Sequence, residues 1–356
     1  SSFAAAAVNA LVGVISILLP SHDTKTMQPS QKTSAPGSDD VIGPALTHIV
    51  TAVAAVSGFC ALALEVLWSR ALVFFFTSNT YAFTTMLASF LASSAAGSLV
   101  SSIIADRLTA KWRIGLLAIC QALIGIAALS TLWQFSAIDQ WVTGITLRLG
   151  VGVAEFFVAR FLGALLVMAP AGFLFGLCFP FYFRLVSPSR QAAGRSAGIV
   201  YSVNTLGCIA GSLIAGFVLI PIIGVARGIS VIAAINCIAG CLLLIANHFV
   251  QRRYSIPAVA AILVVTAGTA VFAPRTPFIA RVPSLNRYPG TRLVYYKDDH
   301  TGTSWVQTMP GNVKQLGVNA NIMADNGPLG VLEHKLASHL PLLLHEHPQT
   351  AVAVGL

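Results

Sequence analysis

Eight stretches of more than twenty residues contain no Asp, Glu, Lys or Arg: 1–21, 41–64, 71–105, 114–138, 161–183, 196–226, 228–251 and 254–274. A helix rises about 1.5 Å per residue and the hydrocarbon core of a bilayer is about 30 Å thick, so each stretch can cross as a helix. Only 9% of the 356 residues are charged and 56% are hydrophobic, against about 25% charged in a soluble domain. The mean hydropathy is +0.80. The sequence therefore describes a polytopic membrane protein with about eight transmembrane helices. Their cores are expected near 1–20, 47–67, 80–104, 114–133, 161–183, 198–221, 228–249 and 256–273. Thr77-Ser78-Asn79 marks a turn inside the long window 71–105, and 256–273 is the weakest span.

The formal charge of +9 has no basic stripe with interleaved aromatics, which excludes a nucleic-acid partner. The basic residues lie in short loops instead. Lys25, Lys32, Arg107, Lys111, Arg113, Arg184, Arg190, Arg195, Arg252 and Arg253 fall on one side, and Arg70, Arg148, Arg160 and Arg227 on the other. Positive charge collects on the cytoplasmic side, which places the ten inside. A bacterial inner (plasma) membrane is the expected location, with everything after Pro274 outside if all eight helices cross.

The organisation expected is a transmembrane helix from a preceding unit at 1–21, a flexible linker at 22–46, a transmembrane bundle at 47–273 and a partial domain at 274–356. The linker is rich in Ser, Thr, Pro, Gln and Lys, a composition that stays flexible. The first segment has no basic region ahead of its apolar run, unlike a secretory signal. Ala6 to Gly13 matches Ala233 to Gly240 in the pattern AAxNxxxG, as if 1–20 were the last helix of an earlier bundle. The chain is expected to continue at both ends.

Past Pro274, short strands are expected at 291–297, 302–309 and 313–319. Asp325-Asn326-Gly327-Pro328 is a helix-start signal. Leu329, Leu332, Leu336, Leu340 and Leu343 then recur at spacings of three and four, one apolar helix face. A buried-type strand is expected at 350–356.

Ionisable groups at membrane depth are costly and point to function by default. Glu65 and Arg70 near one helix end read first as an interfacial pair that fixes helix orientation; a substrate or proton role is the alternative. Asp106-Arg107, with Lys111 and Arg113, reads equally as a bridge between neighbouring helices and as ordinary loop charge. Pro170, Gly172, Gly176 and Pro180 on one helix suit packing better than a broken transport helix. The six cysteines all lie in apolar spans and behave as small apolar residues. His345-Glu346-His347 reads as a solvated loop, and no metal site is expected.

Several segments together resemble the membrane-bound spermidine synthase-like family, in which a major-facilitator-like bundle is fused to a polyamine aminopropyltransferase domain. The resemblance runs from 47 to 356. It rests on Ser57-Gly58, Leu64 to Arg70, Tyr81-Ala82-Phe83 and Gly97 to Arg107 in the bundle. In the tail it rests on Tyr295-Tyr296-Lys297, Thr301-Gly302-Thr303, Leu316 to Asn319, Glu333-His334, His339 to Leu342 and Pro348 to Leu356. It implies a mostly α fold, a major-facilitator-like half, followed by a β-meander, a helix and the first strand of a Rossmann-like methyltransferase-type domain. It implies substrate contacts at His334 and His339, and a donor-cradling turn that starts at Gly355. The pattern's Gln is Ala324 here, its Tyr is Glu333, and its acidic pair is Leu329 and Gly330. The expectation is therefore a catalytically inactive protein, an accessory or structural subunit beside the lipid bilayer, other membrane subunits or a preceding bundle. Decarboxylated S-adenosylmethionine would serve only an active full-length domain, and no cofactor is expected in this chain. A major-facilitator-type solute transporter with a regulatory tail is the alternative.

Overall fold

The computed structural model describes residues 42–76, 79–150, 152–187, 193–247, 252–272, 289–350 and 352, all within one compact unit, Asp39–Leu356. The expected helix at 1–20, the linker to residue 41, the final strand at 350–356 and Gly355 lie outside the described residues, apart from Thr350 and Val352.

Among the described residues seven long helices follow one another: α1 (Pro44–Phe76), α2 (Asn79–Ala105), α3 (Ala110–Leu149), α4 (Val153–Val186), α5 (Ala193–Ile214), α6 (Val225–Ala246) and α7 (Arg252–Phe272). α5 passes through a π-turn at Ala215–Leu219 into one last turn at Ile220–Ile223. The first six rods are long and apolar enough to cross a membrane, whereas the apolar part of α7 covers only Ile256–Gly268. The weak last span of the sequence is thus the short one in the structure.

Helix ends differ from the apolar windows where tertiary contacts answer a charge. α1 runs six residues past Arg70, whose guanidinium finds partners in the tail. The window 71–105 is accordingly shared between two helices that stop at Phe76 and restart at Asn79. α3 continues beyond its window through Asp139 and Arg148. Arg160 on α4 lies over the rings of Phe156 and Phe76, 3.5 and 5.7 Å from their centroids, a cation–π arrangement that tolerates a charge near apolar surface. The π-turn has a local cause too. Pro221 has no N–H to give to Phe217, and the ladder adjusts just before it.

Two helix pairs are drawn together by glycine. On α1 and α5, a Cβ at Gly58, Gly207 or Gly211 would overlap the backbone of Asn204, Ala55 or Phe59. On α2 and α4, a Cβ at Gly97 or Gly176 would overlap the carbonyl of Phe173 or Ser94. Small residues let membrane helices approach to backbone contact. Gly172 and Gly176 are packing residues, and α4 stays continuous through Pro170 and Pro180. α3 and α6 close the opposite side, Gly125 against Ala233 and Cys237 and Gly240 against Ala118. α7 lies beside α6, where Thr266 Oγ1 donates to Cys237 Sγ at 3.1 Å.

The tail is a four-stranded antiparallel meander, β1 (Arg292–Asp298), β2 (Thr303–Met309), β3 (Val313–Val318) and β4 (Asn321–Asp325), followed by α8 (Pro328–Leu344). β4 is a strand the sequence pattern did not suggest. It exists because Asn319, at φ 55, turns the chain back within two residues, a conformation Asn tolerates better than most residues. Trp305 is fully buried against Gly317 and its indole N–H donates to the carbonyl of Asn319 at 2.8 Å. The leucine face of α8, Leu329, Leu332, Leu336, Leu340 and Leu343, is exposed. Nothing among the described residues covers it.

Candidate functional site

Where the α1–α5 pair meets the α2–α4 pair, the helices leave a cavity of about 320 Å³. Its floor comes from close glycine packing and its walls from side chains that the four helices cannot bring into contact. Glu65 projects there with only 9% of its surface exposed. By helix rise it sits about 17 Å along α1 from Phe76. It has no ion-pair or hydrogen-bond partner among the described residues. Around it stand Ser94, Ser98, Asn204 and Cys208, with Phe90, Phe175 and Phe179 as apolar walls.

Beside the cavity a polar cluster ties three helices. Gln121 on α3 donates to Ser57 Oγ at 3.2 Å and to the hydroxyl of Tyr182, while its Oε1 accepts nothing. Asn204 on α5 donates to the carbonyl of Ala54 at 3.0 Å, and Cys208 Sγ lies 3.8 Å from its Oδ1. Buried polar groups with unfilled capacity are rare and call for an explanation. Ser57, Gly58 and Glu65 thus share one site; sequence reasoning singled out these positions but missed Gln121, Tyr182 and Asn204. A polar residue within an apolar window was the only signal for them.

Glu65 and Arg70 do not pair. Five residues apart on α1, they serve different neighbours. Arg70 Nη2 donates to the carbonyl of Asp299 at 2.7 Å and to that of His300. Asp298, 7% exposed, completes the dock. Its Oδ2 accepts from the backbone N–H of Val225 at 3.1 Å, and its Oδ1 from Tyr296 at 2.9 Å and Thr303 at 2.6 Å. A carboxylate at the first free N–H groups of α6 is favoured both as a cap and by the helix dipole. Beyond it, the N–H of His300, and then its ring, hold the Asp299 carboxyl below the usual carboxylate range. The sheet therefore docks at the bundle face that carries Arg70 and Gly224, the end where α1 and α5 finish.

Replacing Asp298 with Ala strands one backbone N–H and two hydroxyls, a loss of about 1–3 kcal/mol. The sheet is expected to become protease-sensitive in detergent while the bundle stays intact. An unchanged digestion pattern would remove Asp298 from the dock.

At the opposite face Asp106 pairs with Arg184, which bridges the α2–α3 loop to the end of α4. Arg113 Nε donates to the carbonyl of Ala105 at 2.9 Å, and Arg107 is exposed. His334 and His339 are both exposed on α8. Five residues of helix set them about 140° apart, so they do not share a face. His345 and His347 border a second hollow beside the end of α8, and no group of three or more metal-ligating residues forms among the described residues. Comparison with family models, curated proteins and solved structures returns no match for the chain.

Proposed function

We propose that the chain is a solute-binding membrane protein of carrier type, with its site in the cavity between α1, α2, α4 and α5. One observation carries this reading: Glu65 is a buried carboxylate without a protein partner, opening into a cavity of about 320 Å³. Small-molecule sites are mostly apolar hollows of about 300–1,000 Å³ with a few convergent polar groups. An ionisable group kept at membrane depth without a structural partner points to function.

Water access to the cavity tests the proposal. Cys208 lines it, so a variant in which the other five cysteines are serine reports on it alone. In proteoliposomes, a methanethiosulfonate carrying a fixed trimethylammonium group, which does not cross lipid, is expected to modify Cys208. Modification only by a lipid-permeant maleimide would show a sealed packing defect and end the carrier reading.

The sheet belongs, in this proposal, to the non-cytoplasmic side of a plasma membrane. The support is the distribution of basic loops, ten residues against four, counted close to the helix ends where the bias acts. Of these, Arg107, Lys111, Arg113, Arg184 and Arg195 are described and lie toward the Asp106–Arg184 face, and the sheet docks at the other. Cysteines placed singly at Ser338 and Lys111, both exposed, check it in intact cells. An impermeant maleimide is expected to label position 338 and spare 111; the reverse pattern would put the sheet in the cytoplasm.

The order of meander and helix also favours a second reading, an accessory protein built on an aminopropyltransferase-type domain. The separate, exposed positions of His334 and His339 weigh against a substrate site on this helix. The sheet is then a cap on the bundle, and the chemistry rests with the membrane cavity.

A further inference from the structure

From the make-up of this cavity, and resting on the carrier reading, we infer that its ligand is a small organic monocation, an alkylammonium held at Glu65. Three features of the walls decide between ligand classes. First, among the described residues lining the cavity Glu65 is the only carboxylate or basic side chain. An anion would meet like charge whenever the carboxyl is ionised, and a neutral solute offers nothing that stabilises the ionised form, which a cation does. A single positive charge neutralises the site. Second, three phenylalanine rings stand in the walls, Phe90 and Phe175 with centroids 6.0 Å apart and Phe179 nearby. Ring faces attract an ammonium and accept the alkyl groups beside it. Third, hard metal cations take six or more oxygen ligands. Among the described residues the site offers one carboxylate and a few hydroxyls, and no histidine lines it. Ser94, Ser98 and Asn204 supply hydrogen-bond acceptors for N–H groups that the carboxylate does not reach.

The volume sets the size. A cavity of about 320 Å³ is at the low end for ligand sites, which suits an amine with a short alkyl body rather than a long chain. Cys208 borders the same space and lies near Glu65, so an occupant that reaches the carboxylate shields the thiol.

The test is protection of Cys208 in the same single-cysteine protein, using neutral iodoacetamide so that the reagent itself carries no charge. Saturating n-butylammonium chloride is expected to slow alkylation about tenfold, whereas sodium chloride, n-butanol and sodium butyrate leave the rate unchanged. Glu65→Gln should abolish the protection while Cys208 stays reactive, which also shows that this variant is folded; Glu65→Asp, which keeps the charge, should retain part of it. Equal protection by butanol, butyrate or sodium ion, no protection by butylammonium, or protection surviving in Glu65→Gln would each overturn the cation assignment while leaving a water-accessible cavity in place. A Cys208 that no water-soluble reagent reaches would remove the carrier reading, and this inference with it.

Discussion

Changing Gly176 to alanine is expected to destabilise the bundle more than any other single methyl group. The added Cβ would overlap the carbonyl oxygen, carbonyl carbon and Cα of Ser94. These are backbone atoms, so no side chain can swing aside and α2 and α4 must separate. Overpacking costs about 1–3 kcal/mol where side chains can adjust, and the upper end or beyond is expected here. The control is Gly115→Ala on α3, where a Cβ meets nothing within 4 Å. Alanine there gains helix propensity, about 0.5–1 kcal/mol. Heating both variants in detergent and measuring the monodisperse fraction separates them. Gly176→Ala should be lost well below wild type and Gly115→Ala at or above it. Equal survival of the two would mean that the close α2–α4 contact does not hold the bundle.

The second large effect is expected in the sheet. Among the described residues of the tail Trp305 is the only fully buried large side chain, seated on Gly317 and tied through its indole N–H to Asn319. Removing a buried aromatic costs about 3–5 kcal/mol. A meander of four short strands has little else to offset that. Trp305→Ala should unfold the tail, read as rapid cleavage within 292–325 by a protease, while the membrane-embedded helices remain protected. Loss of the whole protein would show instead that the bundle depends on the sheet. That outcome has its own physical basis, since Trp305 belongs to the same apolar cluster as Leu67 and Val225.

Membrane character and six of the helices were readable because a bilayer imposes one strong rule, some twenty residues without charge. Helix ends were not, because they depend on neighbours. Nothing local to Arg70 tells that two tail carbonyls wait for it, and nothing local to Asp139 tells that α3 continues. In the tail, alternating apolar residues marked β1 to β3. β4 was hidden because Asn321–Asp325 is mostly exposed and owes its place to the Asn319 turn and pairing with β3. The leucine spacing on α8 gave the helix and its apolar face; periodicity reports a face, and only packing says what lies against it. At the candidate site Glu65 stood out by charge alone. Its companions Gln121, Tyr182 and Asn204 come from three other helices and had no common signal along the chain.

The length of α3 has a consequence for imaging. Forty residues make a rod of about 60 Å, and even at a tilt of about 40° it stands about 46 Å tall. The stretch past its apolar window, Asp139–Leu149, projects on the face where the sheet docks. A detergent belt around the bundle would therefore have a rod and a folded cap emerging from one rim. Electron micrographs of single particles need such an asymmetric landmark to tell top from bottom, and this small membrane protein carries its own.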